Sequence, residues 1–299
     1  MFGQSRYAAQ NARINRLAAE RGVLIAAHRG TATGTIMENT LPAVQAAVRS
    51  GATIVEIDVI ASTDGDHFLF HDGLEPQRFG THQNINSMST TQIRELTYVE
   101  MNSTASAPRV EELAPVLERF RGEDVLFNVD RSWWYWDSLL PRLDEFEMAD
   151  QLVLKSNVDD ASLERLRRHP VKYPFIPMVH SLAQIEKVFG DEEINLVGVE
   201  LIAADRSHEF LAPGAIDELR ARGLACLLNA INLNNRVPLF AGFDDETSVL
   251  GDPDAGWGEL LRLGADLIQT DWTSLLGDYL VAAGVSREFD ALTPVRSRS

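Results

Sequence analysis

The chain of 299 residues has one cysteine, Cys226, and so cannot form an internal disulfide. Its setting, LACLLNA, is apolar, which predicts a buried structural thiol rather than a nucleophile. No stretch approaches the run of about 20 apolar residues needed to cross a bilayer. The first residues, MFGQSRYAAQNARINRLAAERG, contain no apolar core of the secretory-signal kind. A cytoplasmic protein with no transmembrane segment is the expectation. Positive charge is also scarce: 27 Lys and Arg stand against 44 Asp and Glu, giving a net charge of −17. That field repels phosphate backbones, so a nucleic-acid partner is excluded. A small phosphorylated ligand would need locally concentrated positive charge. Oligomeric state is not legible.

What is present is alternation. Strand-like apolar runs occur at 23–28, 53–60, 124–130, 151–156, 175–181, 195–202, 224–231 and 266–271. Amphipathic stretches lie between them. In NTLPAVQAAV, Leu41, Val44, Ala47 and Val48 recur at helical spacing. Near-continuous apolar strands alternating with helices predict parallel strands covered by helices. The economical closure is a single (β/α)8 TIM barrel spanning 23–285. A polar helical extension over 1–22 is expected to lie against the body, and 286–299 reads as a tail. An open doubly wound sheet is the alternative, but no GxGxxG follows the first run. Two segments break the rhythm. Residues 61–107, after the second run, contain DGDHFLFHDG, whose Asp-Gly turn suggests a hairpin inserted at the rim. Residues 232–256, after the seventh, form a long loop read either as a lid or as a variable surface loop.

The chemistry concentrates between residues 23 and 73. VLIAA runs into His28-Arg29, TIVEIDVI carries Glu56 and Asp58, and HFLF delivers His71-Asp72. Glu56 and Asp58, two residues apart on a strand, point to the same face. Two carboxylates turned into a barrel are costly to ionise unless a cation balances them. With Asp130 at the end of the third run, they make a plausible oxygen-ligand set for one divalent cation, Mg2+ or Ca2+ with Mn2+ as a further candidate. His28 and His71 supply groups able to exchange protons near neutral pH. Arg29 offers a cationic fork suited to phosphate. His180 also ends a strand-like run and is a weaker candidate. WWYW (133–136) either lines a pocket or packs beneath helices.

Read in order, His28-Arg29-Gly30, Glu38-Asn39-Thr40, Glu56-Ile57-Asp58, Asp64-Gly65 and His71-Asp72 resemble the signature of the glycerophosphodiester phosphodiesterase (GDPD) family. The similarity persists through PRVEEL, FNVD, VEL and GADLIQTD to about residue 280. The resemblance implies a (β/α)8 barrel that hydrolyses glycerophosphodiesters to an alcohol and glycerol 3-phosphate with a divalent metal. It further implies that His28 and His71 are the acid–base pair, that Glu56 and Asp58 bind metal, and that Arg29 binds phosphate. The family's third strand carries ExK; the matching positions here are Asp130-Arg131-Ser132, with a shorter acid and no lysine. Lys155, at the end of the neighbouring run, is the candidate replacement as a phosphate contact, the alternative being a solvated lysine. Two rival functions are a phospholipase D-like lipid phosphodiesterase of the sphingomyelinase D type, and a non-catalytic phosphoester-binding barrel.

Overall fold

A computed structural model describes residues 1–99, 108–233, 235 and 237–285. The strands, in chain order, are β1 (Leu24–Ala27), β2 (Ile54–Ala61), β3 (His67–Leu69), β4 (Glu111–Glu112), β5 (Leu126–Asp130), β6 (Leu152–Leu154), β7 (Met178–Val179), β8 (Gly198–Leu201), β9 (Ala225–Asn229) and β10 (Leu267–Thr270). Eight of them form a closed parallel ring. β1 pairs with β2 and β10, β2 with β5, β5 with β6, and β7, β8, β9 and β10 follow in turn. Bridges Leu154↔Phe175 and Asn157↔Met178 join β6 to the β7 side and close the circuit. Each barrel strand is followed by a helix, beginning with Leu41–Arg49 and ending with Thr273–Ala282. The architecture is a TIM-like α/β barrel.

Side-chain alternation explains both faces of the ring. Outward residues such as Val55, Ile57, Phe127, Val129 and Leu154 pack under the helices in the main core. Inward residues form a second cluster that includes Leu24, Ala26, Ile54, Leu126, Val153 and Leu267. One step further along the same inward rows the chemistry changes. Ile54 is followed by Glu56 and Asp58, Leu126 by Asn128 and Asp130, and Val153 by Lys155. The barrel is therefore apolar at its N-terminal end and polar and charged at its C-terminal end, where active sites of such barrels form.

The amino-terminal helix packs on the barrel through its apolar residues. Ile14 and Leu17, on the helix Ala12–Arg21, are 1% exposed and belong to the inward cluster. This helix closes the N-terminal end of the barrel. Asn11 reinforces it by exchanging side-chain hydrogen bonds with Asn195 at 2.9 and 2.8 Å.

Beyond Val59, β2 leaves the ring and pairs antiparallel with β3, which pairs with β4. This small sheet carries its own core, including Ile60, Phe68, Phe70, Ile85, Met88 and Tyr98. Rigid packing on this side fixes His71, which follows β3. After β9, residues 239–241 hydrogen-bond to the end of β8 through Ala203 N–H to Leu239 O (2.8 Å) and Ala241 N–H to Ala203 O (2.7 Å). Phe240 and Phe243 are buried there. This segment is a packed part of the rim.

Truncating the plug tests the inward cluster. Leu17→Ala is expected to cost about 2–5 kcal/mol, the range for emptying a core leucine site. The check is urea unfolding followed by circular dichroism.

Candidate active site

Glu56 and Asp58 leave β2 toward the barrel interior and are 1% and 2% exposed. Asp58 lies level with Asp130 of β5 in the strand register. The three carboxylates Glu56, Asp58 and Asp130 offer oxygens that all lie within 4.8 Å of one another. Burial, and then the charges of Asp58 and Asp130, push the Glu56 carboxyl well above the usual range. Such a donor set, all hard oxygens in a confined space, fits a divalent cation.

Donors from the chain hold each acid in place. The Arg29 N–H donates to Glu56 Oε2 at 2.7 Å. Asn39 Nδ2 donates to Asp58 Oδ2 at 2.8 Å, while Asn39 Oδ1 accepts from the Asp58 N–H at 2.9 Å. Asp130 Oδ1 accepts from the Arg131 N–H at 2.6 Å. Arg29, Asn39 and Arg131 have φ of 54°, 56° and 49°. Left-handed backbone is unfavourable at non-glycine residues, and here three such residues bind the three acids, so the strain lies at the site itself.

Two cations, the buried Lys155 and the half-buried Arg29, balance the acids in part. Arg29 reaches Glu38 Oε2 from one terminal nitrogen at 3.3 Å, and its Nε lies 3.1 Å from Asp58 Oδ2. That second contact is an ion pair without hydrogen-bond alignment, since Nε has no hydrogen-bond partner in the structure. Lys155 is only 2% exposed, so the solvated alternative is excluded. Its ammonium lies 2.8 Å from Asp130 Oδ2 and 2.7 Å from Glu200 Oε2. Burial alone would lower the Lys155 pKa, but Asp130, Glu200 and Glu56 outweigh it and raise it. The same pair settles Asp130: burial acts upward, yet Lys155 and the Arg131 N–H bring the carboxyl below its ordinary value.

The histidines border this acidic cluster. His28 Nδ1 is 2.8 Å from Asp271 Oδ1. His71 Nδ1 is 2.9 Å from the Asp72 carbonyl, which can only accept, so Nδ1 carries the proton. Burial lowers the His71 pKa, Arg29 and Arg131 adding to the effect and Asp58 opposing it. Arg131 also pairs with Asp72 at 2.7 Å and lies 5.5 Å from the ring of the exposed Trp134. Trp133 and Trp136 are buried, so the aromatic run mostly packs. His180 is exposed, and its backbone N–H and carbonyl bond to Gln184 and His208 rather than to any site residue.

A model of the glycerophosphoryl diester phosphodiesterase family matches residues 28–274. The chain belongs to that family. Its members are phosphoric diester hydrolases, and this chain is accordingly an enzyme of that class. No curated protein matches the chain. Among solved structures it is similar to a glycerophosphoryl diester phosphodiesterase from Parabacteroides distasonis, with TM-score 0.67, 14% identity and coverage of 88% of this chain and 87% of that one. It is also similar to a glycerophosphodiester phosphodiesterase from Thermotoga maritima, with TM-score 0.60, 21% identity and coverage of 86% and 98%. A third is a phosphodiesterase from Oleispira antarctica in complex with the product sn-glycerol 3-phosphate, with TM-score 0.63, 18% identity and coverage of 86% and 96%. At these identities the likeness carries the fold.

Sequence reasoning passed over four members of this GDPD site. Asp271 directly follows β10, close to the strand-end position that singled out Asp130, and a consistent search of strand ends would have found it. Glu38 and Asn39 were visible in the motif, but their contacts to Arg29 and Asp58 depend on a loop fold that spacing does not give. Glu200 stands inside β8 as an isolated acid, with nothing local to mark it as a partner of Lys155.

Removing the ammonium would take from the buried Glu200 and the half-buried Asp130 the cation they share. In the absence of divalent cations, Lys155→Met is expected to destabilise the fold by about 3–5 kcal/mol. The double variant Lys155→Met/Glu200→Gln should recover part of that loss. Urea titrations in EDTA read both.

Proposed function

We propose that the enzyme hydrolyses glycerophosphodiesters to glycerol 3-phosphate and an alcohol, in a reaction that requires one divalent cation, Mg2+, Ca2+ or Mn2+. The observation that carries this reading is the juxtaposition of Glu56, Asp58 and Asp130 with two histidines and a half-buried arginine at one end of the barrel. Glu56, Asp58 and Asp130 would hold the cation. When bound, it would neutralise phosphate oxygens as charge builds on them.

The remaining chemistry belongs to side chains of the chain. Arg29 turns its guanidinium from Glu38 and Asp58 toward the phosphate, which suits its fork of donors. Lys155 keeps Asp130 ionised and would supply the positive charge that the family's third-strand lysine brings; of its three N–H donors, two serve the ion pairs and the third would be the one to meet a phosphate oxygen. His71, held neutral by burial with Nδ1 protonated, has Nε2 free to take a proton from the attacking hydroxyl or water. His28 gives a proton to the leaving alkoxide, and the Asp271 carboxylate balances the charge of the protonated ring. The sheet β2–β3–β4 and the packed segment after β9 belong to the same rim and would border the departing alcohol.

Activity on glycerophosphodiesters should vanish in EDTA and return with Mg2+, Ca2+ or Mn2+. His28→Ala and His71→Ala are each expected to lower kcat about 10²–10⁴-fold, the usual worth of a positioned acid or base. Full activity in both variants, or turnover indifferent to EDTA, contradicts the reading. The pH profile gives an independent check. A base with a lowered pKa becomes protonated only at lower pH. The acidic limb of kcat/KM should therefore fall below about 6.5, the ordinary histidine value.

A further inference from the structure

The segment after β9 does more than pack. Its short helix Asp245–Leu250 opens on a buried carboxylate, Asp245, which is 4% exposed. Burying an acid is unfavourable unless donors surround it, and three do. Oδ1 accepts from Trp257 Nε1 at 2.8 Å and from the Thr270 hydroxyl at 2.7 Å. Oδ2 accepts from the Asp271 N–H at 2.8 Å. Asp245 itself is anchored by its own N–H, which donates to the Ala230 carbonyl at 2.7 Å.

These contacts converge on the turn that bears the partner of His28. The Thr270 hydroxyl also accepts from the Trp272 N–H at 2.9 Å, and the Thr270 carbonyl accepts from the His28 N–H at 3.1 Å. Residues 270–272 are thus gripped by Asp245 on one side and by the end of β1 on the other. The Asp271 side chain is itself 49% exposed and meets His28 at 2.8 Å. An exposed carboxylate pair contributes little orienting force of its own. Its direction must come from the backbone beneath it, and the Asp271 N–H is held by Asp245. An additional sign of a functional constraint is that one acid has been placed directly under another. Burial pushes the Asp245 carboxyl up to about 6, the neighbouring Asp271 charge adding to this and the three donors opposing it.

We propose that Asp245 is a positioning residue for proton transfer by His28, acting through Thr270 and the Asp271 backbone to aim the Asp271 carboxylate at Nδ1. This rests on the proton-transfer role assigned to His28. In it the rim segment after β9, outside the HRG…HD signature, completes the orientation of the signature's first histidine.

A double-mutant cycle separates positioning from simple support of the fold. With glycerophosphocholine, whose alkoxide leaving group needs a proton, and Mn2+ as probes, Asp271→Asn is expected to lower kcat at least about tenfold, and Asp245→Asn by about tenfold at little-changed KM. The double variant should be no worse than Asp271→Asn within about threefold, since both remove one function. Thr270→Val, which deletes a single donor, should give a smaller loss that is likewise not additive with Asp271→Asn. It also serves if Asp245→Asn does not fold. Trp257→Phe removes the donor that points away from Asp271; it should lower Tm with kcat unchanged. Losses that multiply in the double variants, unchanged kcat in Asp245→Asn and Thr270→Val, or an equal kcat loss in Trp257→Phe overturn the proposal. If Asp271→Asn and His28→Ala both retain full kcat, the role of His28 fails instead, and the proposal falls with it.

Discussion

Mutual repulsion among buried carboxylates is the constraint on which this molecule is built. Glu56, Asp58, Asp130 and Glu200 stand inside one end of the barrel, with Lys155 and Arg29 as the cations among them. At low effective dielectric, such groups a few ångströms apart interact by several kcal/mol. The fold answers with backbone N–H donors, a bidentate asparagine and two ion pairs to a single lysine. A deficit of positive charge remains, and it falls where the three carboxylates would receive a cation and, with it, a phosphate. The functional reading follows from that residual imbalance.

The scaffold makes the imbalance tolerable by separating two solvents within one barrel. Below, inward aliphatic side chains and the plug residues Ile14 and Leu17 exclude water. Above, the same rows turn polar one pleat later. The apolar half supplies burial free energy at roughly 25 cal/mol per Å², which carries the cost of the charged half. The side chains proposed as catalytic then sit on strand ends whose positions are fixed from beneath, as precise geometry requires. His71 obtains the same rigidity from the separate core under β3 and β4.

Much of this was legible in the sequence, for definite reasons. Strand period and strand-end chemistry are local, so the alternation to eight strands and the grouping of His28, Arg29, Glu56, Asp58, Asp130 and His71 could be read from spacing alone. Lys155 was identified as a neighbour of Asp130 because adjacent parallel strands bring their ends together. Its second carboxylate, Glu200, lies across the barrel from Asp130, and no local pattern encodes a contact through the interior. The amino-terminal helix was legible as an element lying against the body, but which end of the barrel takes its two apolar residues was not, because that depends on the hole that accepts them. Asp245 lay within a stretch rich in Asp, Asn and Gly, where composition signals a loop and hides one buried acid.

The central claim is that Glu56, Asp58 and Asp130 form the seat of a divalent cation. Anomalous diffraction at the manganese edge, from crystals equilibrated with Mn2+, tests it without recourse to activity. The account predicts one strong peak within about 2.0–2.6 Å of an oxygen from each of the three carboxylates, the range for divalent ions on oxygen ligands, and its loss in Asp58→Asn. A barrel interior without such a peak, or a peak that persists in that variant, would contradict it.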